Sequence, residues 1–425
     1  MKKIILLLLV SVMLLGIVGC SQATSVYVIQ SDKPRVTSPE VTETDLAKLV
    51  DGNNAFAFEL YQTLRQTGAN LFYSPYSISE ALAMTYAGAR GETEKDMAET
   101  LNFTLSQARL HPAFNSLDLQ LKQRGEGAKS KDGEGFRLNV LNAIWGQKDY
   151  EFLSPFLDVL AQNYGAGLRI VDFINETEQS RVTINDWVSE QTEERIKDLV
   201  PQGAINQLTR LVLTNAIYFN AAWQHPFEEN ATSDGLFRLL GGNYVTVPMM
   251  KQTESFCYTV GNNFQAIELP YDGQELSMVI LLPEAGQFDT FEEGLDAEFV
   301  EDVIDKLKTN EVALTMPKFE YESSFGLKEA LSMLGMEVAF TTDADFSGMN
   351  GQRDLLIQDV LHKAFVSVDE AGTEAAAATA VIVGETSVPA EPVEVKIDRP
   401  FIFIIRDMPT GSIIFVGRVL NPAST

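Results

Sequence analysis

Asp369-Glu-Ala-Gly-Thr-Glu-Ala-Ala-Ala-Ala-Thr-Ala-Val-Ile-Val-Gly384 follows directly on a strand-like run, Lys363-Ala-Phe-Val-Ser-Val368. With the period of two that a strand imposes, Thr373, Ala375, Ala377, Thr379, Val381 and Val383 share one face, and none is charged. Glu374 is the only charge on the opposite face, with Ala376, Ala378, Ala380, Ile382 and Gly384. Such a segment can enter a sheet with one face buried. Ala and Gly are poor strand formers, and Ala favours helix, so Thr373 can equally cap a short helix. Both readings stand on these residues alone, and the rest of the chain has to choose between them.

The chain has 425 residues, 45% of them apolar and 21% charged, as in an ordinary globular protein. Its formal net charge is −27 and its pI is near 4.5. Such acidity repels phosphate, so nucleic acid is excluded as a partner. At the N-terminus Lys2 and Lys3 precede an apolar run from Ile4 to Val18, too short for a comfortable membrane span. The run ends in Ile17-Val18-Gly19-Cys20, which resembles a bacterial lipobox with Cys20 as the lipidated residue; an ordinary secretory signal is the alternative. Residues 1–20 are read as the signal, 21–45 as a flexible tether rich in Ser, Thr, Val and Pro, and 46–425 as one domain. The expected location is the extracellular face of the cell envelope, with membrane contact by the lipid anchor only, and the expected state is a monomer. Cys257 would then be the only other cysteine, which leaves no internal disulfide and reads as a core side chain.

Helical spacing runs over Leu46–Gln66, Ala81–Gly88, the segment after Gly91, Ala113–Gln123, Pro155–Asn163 and Gln179–Leu199. The chain then changes character. Leu211-Val-Leu-Thr-Asn-Ala-Ile-Tyr-Phe219 is apolar and β-rich, as in a strand covered on both faces. Further β runs follow to Val416, interrupted by helical patterns at Phe291–Lys308 and Leu327–Leu334. Helices gathered early and strands gathered late predict an α+β fold in a single domain. His111, His225 and His362 show no metal-ligand spacing, and neither a GxSxG turn nor a phosphate-binding loop is present. No enzymatic activity and no cofactor are expected.

Asn70-Leu-Phe-Tyr-Ser-Pro-Tyr-Ser77, Ala87-Gly-Ala-Arg-Gly91, Ile184-Asn-Asp-Trp-Val188, Leu211–Phe219, Val360-Leu-His-Lys-Ala364, Glu370-Ala-Gly-Thr373, Arg399–Arg406 and Thr410–Gly417 occur in this order. Together they resemble the serpin family over roughly residues 46–422. The resemblance implies about nine helices, three β-sheets and an exposed reactive-centre loop, here about 370–395. It also implies inhibition of a serine endopeptidase: the loop is cut as substrate, inserts into the central sheet and traps the acyl-enzyme. By position, Gly372, Thr373, Glu374, Ala375, Ala376, Ala377 and Ala378 match the hinge. Ser74, Ser77, Asn215 and His362 match the polar cluster behind the central sheet. Trp223 matches the tryptophan under the mouth where the loop inserts, and Lys318 with Glu370 an ion pair at the loop's origin. A non-inhibitory serpin acting as a binding or chaperone protein is the alternative.

The family spacing from Gly372 puts the cleaved bond at Thr386–Ser387, although counting back from Phe401 places it about three residues later. Pro389 disfavours Val388–Pro389, and Glu385–Thr386 is the second choice. Thr386 is small and β-branched, and no Lys or Arg lies between Lys363 and Lys396. The expected partner is therefore a serine protease with a small or aliphatic primary pocket, of the elastase or subtilisin kind. The uncharged face that begins at Thr373 is expected to be exposed before cleavage and buried after it.

Overall fold

The computed structural model describes residues 27–125, 137–373 and 391–424. Among them are ten α-helices and two hydrogen-bonded sheets. The first sheet has seven strands in the order Tyr27–Ile29, Leu168–Val171, Arg137–Gln147, Leu211–Ala222, Gly372–Thr373, Val360–Val368, Phe319–Gly326. The second has nine, and its spine is Tyr244–Gly261. That strand pairs with Ser233–Arg238 at its start, with Lys308–Pro317 along its middle and with Phe264–Pro270 at its end. Two expected sheets are thereby joined through one 18-residue strand.

The helix Pro75–Tyr86 lies under this architecture with all twelve of its residues buried. Its start is fixed locally. Ser74 is the N-cap and its hydroxyl accepts from the Ser77 amide, while Pro75 occupies the first helical position, where no backbone donor is needed. The cap sets Ser74 and Ser77 at the back of the seven-stranded sheet.

Three expectations are corrected. Residues 27–45 are not a tether: Tyr27–Ile29 adds to the edge strand Leu168–Val171, and the helix begins at Glu43. Between them Lys33 pairs with Asp158 at 2.7 Å, and Arg35 binds Asn115 and Asp118. A strand needs no helical periodicity to complete an open sheet edge, and Gly167 admits it, since a Cβ there would meet the Ile29 carbonyl at 2.7 Å. The helix expected over Gln179–Leu199 spans only Thr177–Gln191. Thr192 satisfies the Val188 carbonyl and the Ile196 amide with its hydroxyl, and Glu193 and Glu194 turn left-handed. The run Phe291–Lys308 breaks at Gly294 into Phe288–Glu293 and Ala297–Asp305, the second capped by Asp296.

Candidate functional site

The strands Leu211–Ala222 and Val360–Val368 run parallel and pair from Val360↔Leu213 to Phe365↔Tyr218. There the pairing stops. Farther along, Gly372 faces Ala222 and Thr373 faces Ala221 in antiparallel register, and Thr373 also pairs with Val368. The central sheet is thus open at one end, and two residues of an additional strand already occupy the opening.

The turn that delivers them is built from Asp369. Its side chain accepts from the amides of Ala371 and Gly372, and its own amide donates to the Gly372 carbonyl. Burial pushes the Asp369 carboxyl up from its usual range. Gly372 is required by close approach: a Cβ would lie 2.1 Å from the Ala221 carbonyl oxygen. Thr373 is completely buried, and its hydroxyl lies 2.9 Å from the Tyr271 hydroxyl. Tyr271 is stacked on Trp223, ring centroids 4.7 Å apart, and the Trp223 indole donates to the Asp369 carbonyl. The tryptophan therefore floors the opening, as the sequence suggested. Thr373, by contrast, is not exposed before cleavage; the strand pair has room for it and Tyr271 supplies its polar partner.

Lys318 and Glu370 also meet, at 2.5 Å. The pair is half-buried: the Glu370 carboxylate lies inside while the Lys318 side chain reaches it from the surface. Burial pushes the Glu370 carboxyl up, but hydrogen bonds from Lys318 and Thr232 outweigh it and leave the group below its ordinary value.

Deeper in the sheet, midway along the parallel pairing, a polar row crosses three strands. Asn142 faces Asn215 in register, and Asn215 faces His362. The Ser74 amide donates to His362 Nε2 at 3.4 Å, so Nδ1 carries the proton and donates to Asn215 Oδ1. The Asn215 amide group then donates to Ser77 Oγ and to Asn142 Oδ1. Asn142 in turn donates to Glu80 at 2.7 Å. Phe325 stacks on the His362 ring from the next strand. Ser74, Ser77, Asn215 and His362 are thus brought together as expected. Asn142, Glu80 and Tyr271 were missed. A signal existed for two of them: a carboxylate inside the otherwise uncharged helix Pro75-Tyr-Ser-Ile-Ser-Glu80, and an amide inside the apolar strand Leu141-Asn-Ala-Ile-Trp145.

Glu374, Ala375, Ala376, Ala377, Ala378, Thr386, Ser387 and Cys20 lie outside the described residues. Among the described residues, no group of three His, Cys, Asp or Glu side chains is arranged to hold a metal ion.

Burial holds two histidines neutral, His362 in the sheet down to about 3 and His111 on the helix Gln107–Gln123 down to about 4. Both pKa values are depressed relative to the unfolded chain. Their contribution is present above about pH 6.5 and is lost as pH falls toward 3 to 4. Glu80 opposes this above pH 4.5, because its carboxyl is raised to about 8. Unfolding in urea between pH 6.5 and 4 is expected to show stability falling with pH. Replacing His111→Phe should reduce that slope by up to about 1.4 kcal/mol per pH unit; an unchanged slope would contradict the assignment.

The site is thus a large α+β domain whose main sheet parts at one end, with two residues of a further strand in the opening and a polar row crossing the strands below it. The family model described as serpin (serine protease inhibitor) matches residues 51–422. An uncharacterised serpin-like protein of Thermococcus kodakarensis is 39% identical, covering 98% of each chain. The leukocyte elastase inhibitor of Bos taurus is 40% identical over 89% of this chain and 100% of its own. Among solved structures, human thyroxine-binding globulin complexed with thyroxine superposes with a TM-score of 0.79 at 30% identity, over 89% of this chain and 100% of its own. The chain belongs to the serpin family. It is accordingly of a protease-inhibitor class and not an enzyme.

Proposed function

We propose that this serpin is a suicide-type inhibitor of serine endopeptidases with a small or aliphatic primary pocket. The protease serine attacks the Thr386 carbonyl, an ester forms, and the Ser387 amine leaves with a proton from the protease histidine. The freed strand then inserts before water can cleave the ester. One observation carries this reading: Thr373 sits fully buried between two strands that are parted there and paired below. Continuing the register of Gly372 and Thr373 would bring Ala377 opposite Ile217 and Thr379 opposite Asn215. Residues Ala376 to Val381 would thereby take the place of the six residues Val360–Phe365 along Leu213–Tyr218. Their small or β-branched side chains, with Glu374 on the other face, suit that exchange. The leukocyte elastase inhibitor relatives and the absence of Lys and Arg from the loop favour an elastase-like target.

The test is incubation with elastase- and subtilisin-type proteases. The expected result is a covalent complex on denaturing gels and a released peptide whose mass places Ser387 first. A peptide beginning at Thr386 would move the target to a glutamyl-specific protease. Cleavage with no trapped complex would overturn inhibition in favour of a binding or chaperone role. Export and anchoring through a lipid on Cys20 complete the proposal; fatty-acid labelling in a bacterial host should vanish in Cys20→Ser.

A further inference from the structure

Glu80 has no part in the insertion just described, yet it closes one end of the polar row. Each member of that row is oriented by the next. The Ser74 backbone amide fixes the His362 tautomer, His362 fixes Asn215, and Asn215 presents its amide group to Asn142 Oδ1. Asn142 can offer that oxygen only while its own amide group points to Glu80. We propose that Glu80 is a positioning residue: its protonation state sets the orientation of Asn142, and through the row it controls how readily Leu211–Ala222 and Val360–Val368 part. This rests on the insertion reading above.

The chemistry is one of donors and acceptors. A carboxylate only accepts, so it holds Asn142 in the one orientation the row needs. A carboxylic acid can also donate, so it accommodates the reversed amide equally well. Reversal would set the Asn142 amide group against the Asn215 amide group, donor against donor, and the row would lose its link across the two strands.

The surroundings place this change within reach of ordinary pH. Glu80 is buried beneath the sheet, and burial together with Asp118 on the helix Gln107–Gln123 raises its carboxyl to about 8. Lys122 on that helix and Arg35 from the N-terminal segment act in the opposite direction, and both pair with Asp118. Tyr76 on its own helix and Tyr164 feel its charge, and burial keeps both phenols protonated. His362 lies at the far end of the row and stays neutral.

Two consequences have opposite signs. The raised carboxyl binds its proton more tightly in the folded chain, so ionisation lowers global stability as pH rises from about 4.5 to 8. The same ionisation tightens the row. A merely structural carboxylate would produce only the first effect.

Amide hydrogen exchange of the full, uncleaved chain separates them. Protection factors of Leu361–Phe365, divided by those of the helix Thr177–Gln191, are expected to rise about fivefold from about pH 6.5 to 9. The rise should be absent in Glu80→Gln, whose amide mimics the acid at every pH. It should also be absent in Asn142→Ala, which keeps the titrating group and removes its messenger. A flat wild-type ratio, or the same rise in either variant, overturns the proposal. No protease is involved, so a failure here is distinct from a failure to trap one.

Discussion

Thr373→Arg is expected to turn this inhibitor into a substrate, with the covalent complex falling at least tenfold and the cleaved chain rising to match. The position is completely buried, and among the described residues the partner of its hydroxyl is that of Tyr271. An arginine there has two options. It can carry its guanidinium beneath the sheet without a counter-charge, which costs several kcal/mol. Or it can push the hinge out of the opening, which removes the seat from which insertion starts. Each 1.4 kcal/mol added to the insertion barrier slows it about tenfold, so even a modest fraction of that cost lets deacylation win. Thr373→Ser keeps the hydroxyl and the volume within one methyl group and should inhibit as the wild type does. Band intensities on denaturing gels across a titration of inhibitor against protease decide it. Undiminished complex with Thr373→Arg would mean that the hinge seat does not control the outcome.

The second large effect concerns stability behind the sheets. Arg418 is almost wholly buried and reaches Glu292 at 2.6 Å, while its other donors bind the Ala69 and Arg65 carbonyls. Glu292 also accepts from the buried Tyr61 hydroxyl. Glu292→Leu strands a guanidinium and a phenol in the interior at once. Breaking a buried pair from one side costs about 3–5 kcal/mol, a large share of the stability of a domain. The urea midpoint should fall accordingly with little change in the dependence on denaturant. The double variant Glu292→Leu, Arg418→Met should recover part of the loss, since it removes the more deeply buried guanidinium, while Arg65, 3.8 Å from Glu292, still loses its carboxylate partner. A loss below about 1 kcal/mol in the single variant would show that the carbonyls alone satisfy Arg418.

Much of the site could be read along the chain because its parts are local. Ser74-Pro-Tyr-Ser77 caps a helix, and capping involves residues three apart. The uncharged face that begins at Thr373 follows from period two. The boundaries that failed also failed for local reasons: a hydroxyl at Thr192 ended one helix, and Gly294 with the cap at Asp296 split another that apolar spacing alone would have continued. The N-terminal strand failed differently. Tyr27–Ile29 is a run of strand-favouring residues too short to form a strand alone, and it becomes one because Leu168–Val171 offers an edge to it.

The sequence by itself determined the family and the α+β class, and period two left the segment from Thr373 with one uncharged face, since motifs and alternation act between near neighbours. Only the tertiary structure decided that Thr373 is already seated, that Glu370 is buried, and that Asn142 and Glu80 extend the polar row. Those facts depend on packing and strand register. The helix Pro75–Tyr86, packed on the sheet, brings Glu80 to Asn142 across 62 residues, and register brings Asn142 to Asn215 across 73 and Asn215 to His362 across 147. Partners so distant are chosen by how the strands align, and a shift of one residue would turn each side chain to the other face of the sheet.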